Sequence, residues 1–180
     1  MLIDNYYQIK NIIYFYKNLL TFWHNTVILK LFQGEKGRND LRITHEADYA
    51  IRVTYCLALA GEKQCAKDIS EVTGVTLRFA LKILRKLTQS GITKSYKGVA
   101  GGYELNHSPS EISLGAIIEC IDGPIAINHC LANEFQCTHM GTQKECDFHR
   151  VFSEINRSLR GQLFAITMDR FLPAKLLQNK

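Results

Sequence analysis

Residues 66–106 read AKDISEVTGVTLRFALKILRKLTQSGITKSYKGVAGGYELN, and this stretch decides the fold. Ala66, Ile69 and Val72 recur at helical spacing, so 66–73 is expected to form a short helix. Gly74 then makes a tight turn, since glycine enters the left-handed backbone region at little steric cost. A second helix is expected over 76–89, with Leu77, Ala80, Leu81, Leu84 and Leu87 as its apolar stripe. Arg78, Lys82, Arg85 and Gln89 form a separate polar stripe by the same spacing arithmetic. Gly91 closes the helix, and 92–96 and 103–106 read as two short strands joined by a glycine-rich hairpin. Helix, glycine turn, helix and hairpin are the parts of a winged helix-turn-helix. In that module the second helix enters the major groove and the wing touches neighbouring backbone or minor groove.

Charge supports this reading. Between residues 72 and 103 stand six basic side chains (Arg78, Lys82, Arg85, Lys86, Lys94 and Lys97) and no acidic one. A basic stripe alone is as often a solvated helix face; with the wing and the turn it points to double-stranded DNA. Arg78, at the start of the second helix, is placed to reach base edges, and Thr76 just before it is a further DNA-binding candidate. Lys82, Arg85, Lys94 and Lys97 are placed to meet phosphates, which gives salt-dependent affinity rather than sequence choice. The glycines of the wing do not make a nucleotide loop: Gly102 is followed by Tyr103-Glu104-Leu105 in a strand pattern, not by Lys-Ser/Thr opening a helix.

Working outward, Thr44 caps a helix expected to reach residue 60, with Ala50, Val53, Leu57 and Ala60 on one face. Downstream, Ser113 caps a helix to about residue 121, stopped by Asp122-Gly123-Pro124. A last helix is expected over 148–171, with Phe148, Phe152, Ile155, Leu159, Leu163 and Ile166 on one seam. That seam is longer than a small domain needs for its own core, which suggests a subunit interface. The 180-residue chain is globular in composition, 46% hydrophobic and 22% charged, with a net charge of +5. No run of eighteen apolar residues occurs, so no membrane span is expected.

Cys130, Cys137 and Cys146 hold half of the six cysteines within seventeen residues. Clustered thiols in a reducing cytoplasm point to a metal, an iron–sulfur cluster or redox chemistry. Structural zinc favours close cysteine pairs, whereas the gaps here are six and eight residues. Wide gaps suit a multi-iron centre held by three thiolates and one different ligand. A catalytic cysteine would need an activating base and a substrate pocket, and nothing else in the chain supplies them, so no enzyme is expected. Cys56, Cys65 and Cys120 lie on or beside helices and read as small core hydrophobes.

With these residues in hand, the chain resembles the Rrf-two family of bacterial winged-helix regulators, which includes iron–sulfur repressors and nitric-oxide sensors. The carriers are Arg42-Ile43-Thr44 with Asp48-Tyr49-Ala50, Leu81-Lys82-Ile83-Leu84, and Gly98 with Gly101-Gly102-Tyr103 in the wing. Ser113-Leu114, Ile118, Asp122-Gly123-Pro124 and the three cysteines continue the match, which runs from Leu41 to about Leu172. The resemblance implies a mainly α fold and a cytoplasmic homodimer with crossed last helices, reading an inverted-repeat operator. Gly101, Gly102 and Tyr103 then belong to the DNA-binding wing. It also implies a four-iron or two-iron cluster on Cys130, Cys137 and Cys146. The fourth ligand would be either His149, three residues after Cys146, or Asp48 of the partner subunit.

The expected organisation is an extension, 1–40; a winged helix-turn-helix, 41–107; a connecting helix, 108–127; a cluster loop, 128–147; a dimerisation helix, 148–172; and a tail, 173–180. The extension has no counterpart in the family. Leu41 can be the translation of a TTG start, and Gly37-Arg38-Asn39-Asp40 can back-translate to a ribosome-binding site, so 1–40 is expected to lie upstream of the true start. The functional expectation is a transcription regulator whose operator affinity is set by a cluster sensing nitric oxide, redox state or iron. The rivals are a cluster-free regulator using zinc or redox-active thiols, and a regulator controlled by a bound metabolic enzyme. An iron–sulfur carrier is a third, in which the wing would be superfluous.

Overall fold

The computed structural model describes residues 42–98, 100–132 and 146–174. The expectations for the extension 1–40 and for Cys137 therefore lie outside the described residues. These described residues belong to one compact unit.

Helix α1 (His45–Ala60) starts at Thr44, whose hydroxyl accepts from Ala47 N at 3.1 Å. That cap is itself fixed from afar, because Thr44 Oγ1 donates to Asp122 Oδ1 at 2.6 Å. Helix α2 (Ala66–Thr73) buries Ile69 and ends at Gly74, whose φ of 69° lets its N–H reach back to Ser70 O at 3.0 Å. Helix α3 (Leu77–Gln89) follows directly. Strands β1 (Thr93–Tyr96) and β2 (Gly102–Leu105) then pair antiparallel, with Thr93 opposite Leu105 and Tyr96 opposite Gly102.

The wing is anchored by a bridge between Tyr103 and Gln64, two residues before α2, with N–H···O distances of 2.8 and 2.9 Å. A Cβ on Gly102 would lie 2.6 Å from Gln64 O, so that close approach of two backbones needs glycine. Helix α4 (Leu114–Asp122) is capped by Ser113, and helix α5 (Asp147–Ala165) follows the thiol loop. No helix among the described residues is long and apolar enough to cross a membrane.

One core joins these elements. Ala47, Ala50, Val53 and Leu57 of α1 pack with Ile69, with Ala80, Ile83, Leu84 and Leu87 of α3, and with Ile117 and Ile121 of α4. Each fully buried leucine or isoleucine here contributes about 1.5–3 kcal/mol.

Three expectations are corrected. The stripe of α3 that faces the core runs through Ala80, Ile83, Leu84 and Leu87, while Leu77 and Leu81 are 44% and 42% exposed. The line of contact with α1 is thus rotated away from the Leu77–Leu81 edge, and Ile83 fills the place assigned to them. The last α-helix ends at Ala165, not near residue 171, because Ile166 and Thr167 turn extended. There Ile166 O accepts from Leu114 N, and Met168 N donates to Ile112 O, both at 2.9 Å. That pairing buries Met168 beside the core, and a short 3-10 helix, Met168–Phe171, completes the segment. Finally, Cys65 is exposed and caps α2, its sulfur accepting from Asp68 N at 3.4 Å, so it is not a core residue. Cys56 and Cys120 are half-buried against the core as expected. Burial, with a smaller contribution from Asp68, pushes the Cys56 thiol up to about 11.

Candidate nucleic-acid interface and thiol site

Helix α3 offers its solvent face at the end where the α2 turn delivers it. Thr76 is its N-cap residue and makes no side-chain cap, and Arg78 and Arg85 are exposed. Lys94 and Lys97 are exposed on and beside β1. Among the described residues none of these four cations takes part in an ion pair. Four unpaired cations spread over a helix and a hairpin make a surface suited to a polyanion.

Lys82 differs from its neighbours. Its ammonium lies 2.8 Å from Glu46 Oε2, and Lys86 lies 2.8 Å from Glu46 Oε1. Hydrogen bonds from Lys82 and then Lys86 hold the Glu46 carboxyl below its ordinary value. Lys86 also donates to Ile121 O at 3.3 Å, so one acidic side chain of α1 ties α3 to α1 and, through Lys86, to the end of α4. Tyr49 meets Phe79 edge-on at 5.6 Å beside this pair, and Lys82 lies 5.5 Å from the Phe79 ring centre. Glu46 stands 36 positions before Lys82, and only the packing of α1 on α3 reveals it.

In the wing, Gly102 is buried and Tyr103 half-buried under the Gln64 segment, so both shape the base of the hairpin. Gly101 is also steric: a Cβ there would lie 2.5 Å from Tyr96 O. Tyr96 is exposed, donates to Glu104 Oε1 at 2.5 Å and has Lys63 over its ring at 5.3 Å.

The thiol site is framed on both sides. Cys130 lies half-buried in a 3-10 turn, His129–Leu131, where its N–H donates to Asn128 Oδ1 at 3.3 Å. Cys146 is the half-buried N-cap residue of α5, and its thiol makes no capping hydrogen bond. One turn on, His149 is partly buried, and its Nδ1 is shielded from solvent with no hydrogen-bond partner among the described residues. Such an orphaned nitrogen is costly unless something ligates it. Asp48 is instead committed to Arg52 at 2.8 Å, and Arg52 lies over the Tyr49 ring at 5.6 Å. Among the described residues no three Cys, His, Asp or Glu side chains are grouped to hold a metal. The structure therefore brings Cys146 and His149 onto one helix end and leaves Asp48 on α1.

The approach to Cys130 is strapped at three points that periodicity does not disclose. Asn156 of α5 donates to Ile125 O at 2.9 Å and accepts from Ile127 N at 3.1 Å. Glu119 of α4 accepts from Ile125 N at 3.2 Å and from Arg160 at 2.6 and 2.9 Å. Arg160 first, opposed in part by burial, holds the Glu119 carboxyl below its ordinary value.

A tri-helical core with a glycine-turned helix pair, an antiparallel wing and an exposed basic face defines a winged helix-turn-helix protein. The family model named Rrf2, described as an iron-dependent transcriptional regulator, matches residues 43–174, and the chain belongs to that family. It is 29% identical over 149 residues to an Rrf2-like regulator of Rhodobacter capsulatus, covering 76% of this chain and 99% of that one. It is 28% identical over 144 residues to the regulator IscR of Serratia proteamaculans, covering 78% and 81%. A protein of Mycobacterium tuberculosis assigned as an HTH-type transcriptional regulator is 35% identical over 88 residues. That match spans 48% of this chain and only 55% of the relative. Among solved structures, the global cysteine regulator CymR of B. subtilis shares the fold with a TM-score of 0.57 at 20% identity, over 72% of this chain and 95% of that one. IscR of T. potens does so with a TM-score of 0.54 at 21% identity, over 74% and 87%.

Proposed function

We propose that this chain is a DNA-binding transcription regulator acting as a homodimer on an inverted-repeat operator, with its affinity set by an iron–sulfur cluster. The observation that carries the DNA reading is the unpaired basic face of α3 and the wing, Arg78, Arg85, Lys94 and Lys97, on a winged helix-turn-helix. Arg78 at the start of α3 reads base edges; Arg85, Lys94 and Lys97 neutralise phosphates. The exposed seam of α5 supports a second copy as its cover, since Phe148 and Ile155 are 73% and 50% exposed.

Cys130, Cys137 and Cys146 would hold a four-iron or two-iron cluster. The donor set fits: two half-buried thiols flank the loop, and a buried imidazole nitrogen with no partner among the described residues stands one turn from Cys146. That nitrogen favours His149 as the fourth ligand; Asp48 of the partner subunit is the rival and would first have to leave Arg52. When bound, such a cluster supplies a thiolate-ligated iron centre open to nitric oxide, oxygen or iron loss. The chain's own part is mechanical. Residues 125–127 join the Cys130 turn to α4 through Glu119 and to α5 through Asn156. In the same last turn of α4, Asp122 fixes the start of α1 and Ile121 holds Lys86 of α3. A change at the thiol turn can therefore alter how α3 is presented.

The test is anaerobic purification with iron and acid-labile sulfide counted, and operator binding measured before and after removal of the iron. Wild type should carry iron and sulfide in matching amounts. Cys137→Ala should lose both, stay folded and shift operator affinity by at least roughly tenfold; a complete switch needs about 5 kcal/mol between the two states. Iron loss in His149→Ala but not Asp48→Ala would support the nearer ligand. Zinc in place of iron, or affinity that ignores the thiols, would move the reading to a cluster-free regulator.

A further inference from the structure

Helix α3 exposes an apolar pair on the same side as its cations. Leu77 and Leu81, one turn apart, are 44% and 42% exposed although the helix has a complete core stripe elsewhere. Arg78 lies three residues before Leu81 and Arg85 four after, so Leu81 shares a face with both guanidinium groups. Isolated exposed leucines need no explanation. A pair in the first two turns of a recognition helix, bordered by unpaired arginines, has a specific use.

We infer that Leu77 and Leu81 read thymine by packing on its 5-methyl group in the major groove, which makes Leu81 in particular a specificity-determining residue. This rests on the DNA-binding reading above. Thymine alone offers an apolar group on the major-groove edge, and an aliphatic side chain that excludes water there discriminates it from cytosine. Leu77 and Leu81 are roughly 6 Å apart along the helix axis, about two base-pair steps, so each can address its own step. A second copy of this chain is a poor cover for the pair. A symmetric contact would set Arg78 and Arg85 of one copy against those of the other, like charge on like charge. A nucleic acid satisfies both halves of the surface, with phosphates for the arginines and methyl groups for the leucines. Lys82, held by Glu46, is not a competitor for the same step.

The test uses the full chain, prepared anaerobically. Random duplexes are selected for binding, and each thymine of the selected site is then replaced by uracil, which lacks only the methyl group. Wild type should bind about four-fold more weakly for each contacted thymine replaced. Leu81→Ala should lose that penalty at one step and select a less constrained base there. Its melting temperature and the salt dependence of its binding should be unchanged. Uracil penalties and selected sequences identical in wild type, Leu77→Ala and Leu81→Ala would overturn the inference while leaving DNA binding intact. Failure of wild type to select any sequence, with or without its iron, would instead overturn the DNA-binding reading and this one with it. A loss of self-association in Leu81→Ala, seen by light scattering, would show the pair to be a protein contact and overturn it separately.

Discussion

Helix α3 buries Ala80, Ile83, Leu84 and Leu87, whereas α5, longer and patterned at the same spacing, buries none of its residues. The apolar line of α3 is met from within the protomer by α1 and α4. That of α5 is met only in part, by Gly115 of α4 beneath the Phe164 ring and by polar straps from Asn156 and Arg160. Periodicity thus announces that a face is meant to be covered; it does not say by what.

The largest expected effect separates the two helices. Leu84→Ala removes a fully buried side chain and should cost about 2–5 kcal/mol of stability at any protein concentration. Ile155→Ala acts on a residue 50% exposed in the protomer and should cost little in dilute solution. If a second copy covers α5, the wild-type melting temperature should rise with protein concentration, and Ile155→Ala should flatten that rise. A wild-type melt independent of concentration would mean that α5 is not an interface between copies.

A smaller effect concerns how α5 is held. A Cβ on Gly115 would clash with the edge of the Phe164 ring, over which Arg160 lies at 4.6 Å. Gly115→Ala should therefore push α5 off α4 at a cost of about 1–3 kcal/mol. Hydrogen exchange should show α5 amides losing protection while those of α3 keep theirs. Equal losses in both helices would break the contrast, because it would make α5 part of the same cooperative unit as the core.

The helix-turn-helix was legible because its signals are local. The capping bonds of Thr44, Gly74 and Ser113 reach residues within four positions, and all three caps form as their chemistry prescribes. By periodicity alone Leu77 and Leu81 fit the stripe of α3 in place of Ile83, since five leucine and alanine positions fit a helical face almost equally well. Which of them faces inward depends on the direction from which α1 approaches. The seam runs past the true end of α5 for a similar reason: Ile166 fits it, but Leu114 and Ile112 draw the following residues into extended pairing. In the thiol site the cysteines announced themselves by clustering. The partners that frame them, Glu119 with Arg160 and Asn156 with 125–127, are 41 and about 30 residues apart and leave no periodic trace.

The smallest effect links the stability of α3 to its proposed work. Glu46→Gln removes the carboxylate that holds Lys82 and Lys86, and at neutral pH should cost about 1 kcal/mol. The Glu46 carboxyl is held below its ordinary value of 4.5 in the fold. Its contribution is therefore complete above that value and is lost as pH falls through the lower, folded-state value. The gap in stability between wild type and Glu46→Gln should close over that acid window and stay constant from pH 6 to about pH 8. A gap that instead widened on acidification would reverse the sign and refute the pairing. The same substitution frees the Lys82 ammonium beside Arg78 and Arg85. Binding to a selected duplex should then depend more steeply on salt, by up to about one unit of slope for one added phosphate contact. A less stable protein that grips DNA more tightly at low salt would show that Glu46 holds Lys82 for the core at the expense of the groove; an unchanged slope would show that Lys82 never reaches a phosphate.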